Sequence, residues 1–319
     1  MTRSFFVFIA ACIFSMSIPA QESPATGNSR NYEVDILLDT FAYGADDIDA
    51  DTDLVFQGCP HRDCIPSIDE PGFSATHEVD YLADDDLILS VTVDGLTRGY
   101  PTRILDQHEI VNDWFGETPV AVTFCPLCGS GLAFVRTLDG AAVELGVSGL
   151  LHNNDLIMYD RKTKSLWQQI TGVAIAGPKR GEALEAIPAS MALWSEWKQS
   201  HTDAEVLSPV HDISVYVKNQ YADYQSSDRL LFPVSREDAR LHVKKVIYGV
   251  EVGSLSIAVE SEWLYKNRSW EHEIEGRQLK LQLDSAQAVI GTLDGQPIAV
   301  HRMFWFAWYS FHPNTSLIQ

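Results

Sequence analysis

The chain has 319 residues, 45% of them hydrophobic, 10% aromatic and 21% charged, a globular composition that excludes a mini-protein or a disordered chain. Its 23 Lys and Arg stand against 44 Asp and Glu, a formal charge of −21. Such a surface repels phosphate backbones and anionic bilayers, so nucleic acid is excluded as a partner.

Arg3 precedes an apolar run from Phe5 to Met16, which ends in small residues before Gln21. The pattern predicts a secretory signal peptide over residues 1–20 and an exported, periplasmic or extracellular protein with no membrane span once it is removed. Cys12 offers the alternative of a lipoprotein anchor, although the apolar run continues past it. Residues 21–58 read as an acidic, partly disordered lead-in. Within it, DDIDADTD has calcium-loop spacing at Asp47, Asp49 and Asp51, but Thr52 replaces the turn glycine and Gly58 the bidentate glutamate, so a solvated acidic segment is expected.

From residue 59 to 315 the sequence predicts one β-dominated α+β domain. Short alternating runs recur at LILSVTV, PVAVTF, LAFVRTL, VIYGVEV and LKLQL, with Asp94-Gly95, Asp139-Gly140 and Asp294-Gly295 as hairpin turns. One main helix is expected over 190–200, where Leu193, Trp194 and Trp197 fall at helical spacing behind Ser190. An offset of 159 places Val91 on Val250, Val93 on Val252 and Val120 on Leu279, and a four-residue deletion then places Asp139-Gly140 on Asp294-Gly295. This predicts two related antiparallel β units, 87–145 and 246–300, flanking a middle segment.

The chemistry-bearing residues begin with Cys125 and Cys128 in VTFCPLCGSG; the second unit has Asp284 and Gln287 there. Two thiols two residues apart can hold one ion, with Gly129 turning the backbone, but a knuckle supplies only two of the four ligands zinc prefers. Cys59, Cys64, His108 and His152 are the candidates for the rest. The same pair also suits a thiol–disulfide oxidoreductase, although a strand rather than a helix follows it, or static disulfides in an oxidising compartment. ITGVAIAGPKRG lacks the spacing of a nucleotide loop, and no haem-attachment sequence is present.

Four strings, HEIVND at 108, VAVTFCPLCGSGLAF at 120, GVSGLLHNNDLIMYDRKTKSLWQQITGVAIAGP at 146 and FWFAWYSFHPNT at 304, resemble the bacterial and archaeal family known as domain of unknown function 3179. The resemblance spans roughly residues 60 to 315 and implies an architecture and a candidate site rather than a reaction. Family-like positions are His108, Glu109, Asn112, Asp113, Cys125, Cys128, Asn154, Asp155, Asp160, Arg161, Trp167, Gln169, Trp305 and Trp308. Relatives typically carry an aromatic residue in place of His152, and a Gly/Asp-rich approach in place of Cys59 and Cys64. The resemblance therefore implies a local Cys59–Cys64 disulfide and leaves Cys125, Cys128 and His108 as the ligand core for one copper or zinc ion. Glu109, Asn154, Asp155, Asp160, Arg161, Trp167 and Gln169 would then line a polar pocket in which Arg161 binds an anionic group. Under this reading the protein is an exported metal binder with an envelope metal-handling or redox partner. The rival classes are the thiol–disulfide enzyme and a non-catalytic binding module.

Overall fold

A computed structural model describes residues 40–216 and 221–319. The leader, Cys12 and the lead-in through residue 39 lie outside the described residues. Among those described, no helix is long and apolar enough to cross a membrane.

The predicted alternation is realised as strands, and each Asp-Gly pair turns with both φ angles positive, Asp94 at 50° and Gly95 at 82° being typical. That is the type I′ geometry whose twist matches the flanking strands. Five sheets of four or five strands form a propeller-like ring. The first contains, in spatial order, Val55–Gln57, Leu145–His152, Asp155–Asp160, Leu166–Gln168 and Ala174–Ala176. The second is Glu185–Ile187, Ser130–Val135, Thr118–Cys125 and Ile110–Phe115. The third is Ala189–Leu193, Leu87–Val93, Leu96–Pro101, Glu205–Leu207 and Phe73–Ala75. The fourth is His301–Phe304, Val246–Val252, Leu255–Glu260 and Ser316–Ile318, and the fifth Ser269–Ile274, Arg277–Leu283, Val289–Leu293 and Gln296–Ile298.

Two expectations need correction. The fold has five main sheets where sequence periodicity suggested two β units, because the middle segment supplies a sheet of its own. Its strands Leu166–Gln168 and Ala174–Ala176 are three residues long and buried on both faces, so they carry no alternation to read. The single helix is replaced by four seven-residue helices, Thr102–His108, Trp194–Ser200, Ser261–Asn267 and Trp305–Phe311, each beginning at the residue after a strand ends. Two turns are too few for helical periodicity to show, and residues 189–193 form a strand paired with Leu87–Val91. Within the expected lead-in, Phe41, Ile48, Val55 and Phe56 are buried, and Val55–Gln57 pairs with Leu150–His152. The acidic run is tied down as well, Asp49 pairing with Arg180.

The offset of 159 recurs in the elements. Strands starting at 87, 96, 110, 118 and 130 and the helix starting at 102 have counterparts starting at 246, 255, 269, 277, 289 and 261. The second and third sheets also share their strand order with the fifth and fourth, apart from the added outermost strand Phe73–Ala75, down to one parallel pair: Glu205 lies opposite Arg98, and Ser316 opposite Ile257. Trp194, Trp197 and His201 on one helix match Trp305, Trp308 and His312 on another. The predicted equivalence of Asp139-Gly140 with Asp294-Gly295 does not carry over. The latter joins two strands of the fifth sheet, whereas the strand beside Ser130–Val135 is Glu185–Ile187, with four of the first sheet's five strands lying between them in the chain.

Candidate functional site

Cys125 ends the strand Thr118–Cys125, and Pro126 to Gly129 turn the chain into Ser130–Val135. Gly129 has φ 62°, and a Cβ there would meet the Phe304 ring at 3.0 Å, so only glycine fits the turn. Both thiols are free and buried, inside the cluster that contains Met158, Trp167, Trp305 and Trp308.

The first sheet brings the remaining groups. Leu145–His152 and Asp155–Asp160 form a hairpin turned by Asn153 and Asn154, with φ 54° and 64°. Asparagine tolerates this left-handed conformation better than most residues. The Asn154 carbonyl accepts hydrogen bonds from Cys125 Sγ at 3.5 Å and from Cys128 Sγ at 3.4 Å. The next residue, Asp155, places a carboxylate oxygen so that it and both sulfurs lie within 4.8 Å of one another. Asp155 Oδ2 accepts from Gln168 Nε2 at 2.6 Å and Ile170 N at 3.0 Å. Its buried Oδ1 takes no hydrogen bond from a nitrogen or oxygen among the described residues.

Glu109 arrives from another direction. It ends the helix Thr102–His108 with φ 58°, its N–H donating to Leu105 O at 2.7 Å and its carbonyl accepting from Phe124 N at 2.7 Å. Its buried side chain borders, with Cys125, a cavity of about 150 Å³ whose wall is otherwise mostly apolar, including Leu127, Val147 and Phe232.

Every acidic group here resists ionisation. Burial, then Asp155 and Asp106, push Glu109 up to about 8. Burial lifts Asp155 to about 7. It also raises the Cys125 thiol, and with Cys125 and Asp155 beside it the Cys128 thiol stands well above the usual range. The charged neighbours that raise these groups are themselves acidic: Asp155 and Glu109 at Cys125, Asp155 at Cys128, and Asp155 and Asp106 at Glu109.

Other expected ligands go elsewhere. His108 is buried, but its Nδ1 meets Pro66 O and its Nε2 meets Tyr216 Oη, both at 2.8 Å, and the close cluster contains Asp155 in its place. His152 holds Gln168 Oε1 through Nδ1 at 2.9 Å and lies 3.2 Å from Asn153 Nδ2 through Nε2. It thus supports Gln168, which in turn supports Asp155, instead of joining the sulfurs. The structure joins Cys59 to Cys64, with Cα atoms 6.3 Å apart.

The polar pocket disperses on inspection. Asp160 accepts from Thr163 Oγ1 and Trp167 Nε1, closing a tight turn, and Trp167 is wholly buried. Arg161 is bound to Asp69 at 2.6 Å and Glu144 at 2.8 Å, so its guanidinium is already paired with carboxylates. Gln169 ties Thr123 Oγ1 to Ser130 Oγ, each at 3.0 Å, linking sheets. Of the seven pocket candidates, Glu109, Asn154 and Asp155 belong to the site. Sequence reading missed Gln168, which carries no motif of its own, and the segment around Phe232. Asn154 grips that segment twice, its Nδ2 donating to Phe232 O at 2.8 Å and its Oδ1 accepting from Phe232 N at 3.0 Å.

Residues 62–294, which carry the thiol pair, Glu109, the Asn-Asn turn and Asp155, match the family described as Protein of unknown function (DUF3179). The chain belongs to that family. No curated protein and no solved structure matches it. In this member of the domain of unknown function 3179 family, the sulfurs come from the second sheet and the carboxylate from the first, so the site exists only where those two sheets meet.

Proposed function

We propose that this chain binds one transition-metal ion, zinc or copper, through Cys125, Cys128 and Asp155, with Glu109 at the adjoining cavity as the candidate for a fourth position. The observation that carries this reading is the convergence of two sulfurs and a carboxylate within 4.8 Å in a fully buried site. Four acidic groups are buried together there, and the charges acting on the thiols and Glu109 are acidic too, an arrangement that a divalent cation neutralises. Asp155 Oδ1, which takes no nitrogen or oxygen donor among the described residues, is a further atom that a cation would satisfy. A carboxylate beside two thiolates suits zinc better than the softer copper(I). The leader pattern of residues 1–20 supports an activity outside the cytoplasm, where an envelope metal-handling partner would be its source of metal.

Burial argues against the thiol–disulfide reading. Exchange needs an accessible thiolate, and here both sulfurs are enclosed and held in the thiol form. The matched element starts and strand orders support a further reading, that the second and third sheets and the fourth and fifth are copies of one two-sheet unit, with the first sheet inserted into the first copy.

The test is elemental analysis of the mature protein, purified without a His-tag, together with thiol counting in denaturant. The expected result is one equivalent of zinc or copper, lost in Cys125→Ser/Cys128→Ser and in Asp155→Asn. Metal-free protein that also fails to take up zinc or copper(I) in titration would overturn the proposal.

A further inference from the structure

The two matched pairs of sheets differ at their outer edges, and that difference exposes a groove. In the first pair, residues 66–75 cross the outer edges of both sheets. Ile68 lies parallel to Val111, its N–H donating to Ile110 O at 2.9 Å and its carbonyl accepting from Asn112 N at 2.8 Å. The strand Phe73–Ala75 then pairs with Glu205–Leu207. Phe73 meets Tyr100 edge to face, with ring centroids 6.0 Å apart, and lies under the Arg98 guanidinium at 4.1 Å. Val111 and Leu207 are fully buried as a result.

At the offset of 159, Arg98, Val111, Asp113 and Phe115 fall on Ile257, Trp270, His272 and Ile274, and the parallel register that sets Glu205 against Arg98 and Ser316 against Ile257 places Leu207 on Ile318. Those five positions in the second pair line a concavity of about 410 Å³. No described segment takes the place of residues 66–75. Ser316–Ile318 is the last strand of the fourth sheet and Ser269–Ile274 the last of the fifth, so two backbone edges unpaired among the described residues border one apolar floor. Trp270 and Ile318 are correspondingly left partly exposed.

We propose that this groove is a docking site for an extended segment of a partner protein, which adds to the Ser316–Ile318 edge as a β-strand and seats two apolar side chains five residues apart, as Ile68 and Phe73 are seated in the matching groove. Open edges beside apolar pockets are the basis of strand addition. The rim specifies the charge. Ile257 and Ser316 stand where the first groove has Arg98 and Glu205, so the floor is uncharged, while exposed Glu273 and Glu275 border it. With a chain charge of −21, this selects a basic segment over a second copy of the same acidic protein.

The probe is a fluorescein-labelled peptide copying residues 66–75 with Asp69→Lys and Glu70→Lys, titrated against the full chain by fluorescence anisotropy. Saturable binding in the micromolar range is expected, at least tenfold weaker in Glu273→Lys/Glu275→Lys and abolished in Ile318→Arg. All these positions are at least partly exposed, and circular dichroism confirms that the variants fold. Absence of saturable binding, or binding that neither variant weakens, overturns the proposal. So does a dimer in light scattering that Ile318→Arg splits, since the occupant is then a second copy.

Discussion

Glu109 and Arg268 occupy the same corner of the matched sheet pairs, each ending a seven-residue helix in the left-handed region, with φ 58° and 69°. The strained backbone is therefore a property of the corner, and only the side chain differs: the carboxylate turns into the site, whereas Arg268 is exposed and hydrogen-bonds Gln287. Glu109→Gln keeps the shape and removes the charge, and is expected to weaken metal binding by about ten- to a hundredfold in competition titrations. Arg268→Gly is expected to leave metal binding unchanged and raise stability by about 0.5 kcal/mol through relief of the left-handed strain, read from a denaturant midpoint. His301 supplies a separate pH dependence. It is buried against Trp308, its Nδ1 has no partner among the described residues, and burial holds its imidazole down at about 4, below an ordinary 6.5. The unfolded chain thus takes up this proton first as pH falls. The stability contribution is whole above pH 6.5 and is lost between 6.5 and about 4, at about 1.4 kcal/mol per pH unit. His301→Phe should flatten that limb by one proton. Equal wild-type-minus-variant differences at about pH 4.5 and about pH 7.5 would refute the assignment.

At the scale of elements, the Asn153-Asn154 turn does two jobs. It presents a carbonyl to the thiols and, through its side chains, holds the segment around Phe232 and Ser235, Asn153 Oδ1 accepting from Ser235 N at 2.6 Å. Asn154→Ala removes both bonds to Phe232 and should cost about 2 kcal/mol. It should also speed native-state labelling of Cys125 and Cys128 by a thiol reagent by tenfold or more, because the covering segment is released. Unchanged labelling would show that Phe232 does not guard the sulfurs. Where the helix Trp305–Phe311 crosses the fourth sheet, a Cβ at Gly249 would overlap the Trp308 indole, so Gly249→Ala should destabilise by about 3 kcal/mol in thermal or denaturant unfolding. These two elements also mark what could be read from sequence. Asp94-Gly95 and the strand Leu87–Val93 were legible because turn chemistry and alternation are local. Cys125 and Cys128 were legible as a pair for the same reason. Their carboxylate was singled out as a pocket residue but not as a ligand, because it is brought across from another sheet by a turn whose two asparagines carry no metal signature. His108 looked like a ligand through proximity in sequence to that strand, but the helix Thr102–His108 points its ring at Pro66 and Tyr216.

For the whole molecule, the offset of 159 between strand-like runs was visible in sequence while the ring was not, since five sheets require knowing which strands pair across long separations. Leu166–Gln168 and Ala174–Ala176 offered no alternation, and the equivalence of Glu185–Ile187 with Gln296–Ile298 is expressed only in sheet order. The acidic surface predicted from composition acquires a location in Glu273 and Glu275 at the open groove. The first sheet's point of attachment has a further consequence. Val135 and Glu185 face each other as paired residues, just as Leu293 and Gln296 do on either side of Asp294-Gly295. Everything between Val135 and Glu185 thus leaves and rejoins the scaffold across a single rung, which a two-residue hairpin can bridge. The proposed site is thereby divided between two parts of the chain: Asp155 and the Asn-Asn turn lie in the segment that departs at this rung, and both cysteines lie in the sheet it departs from, so exchange of that one segment would carry off the carboxylate and leave the thiol pair in place.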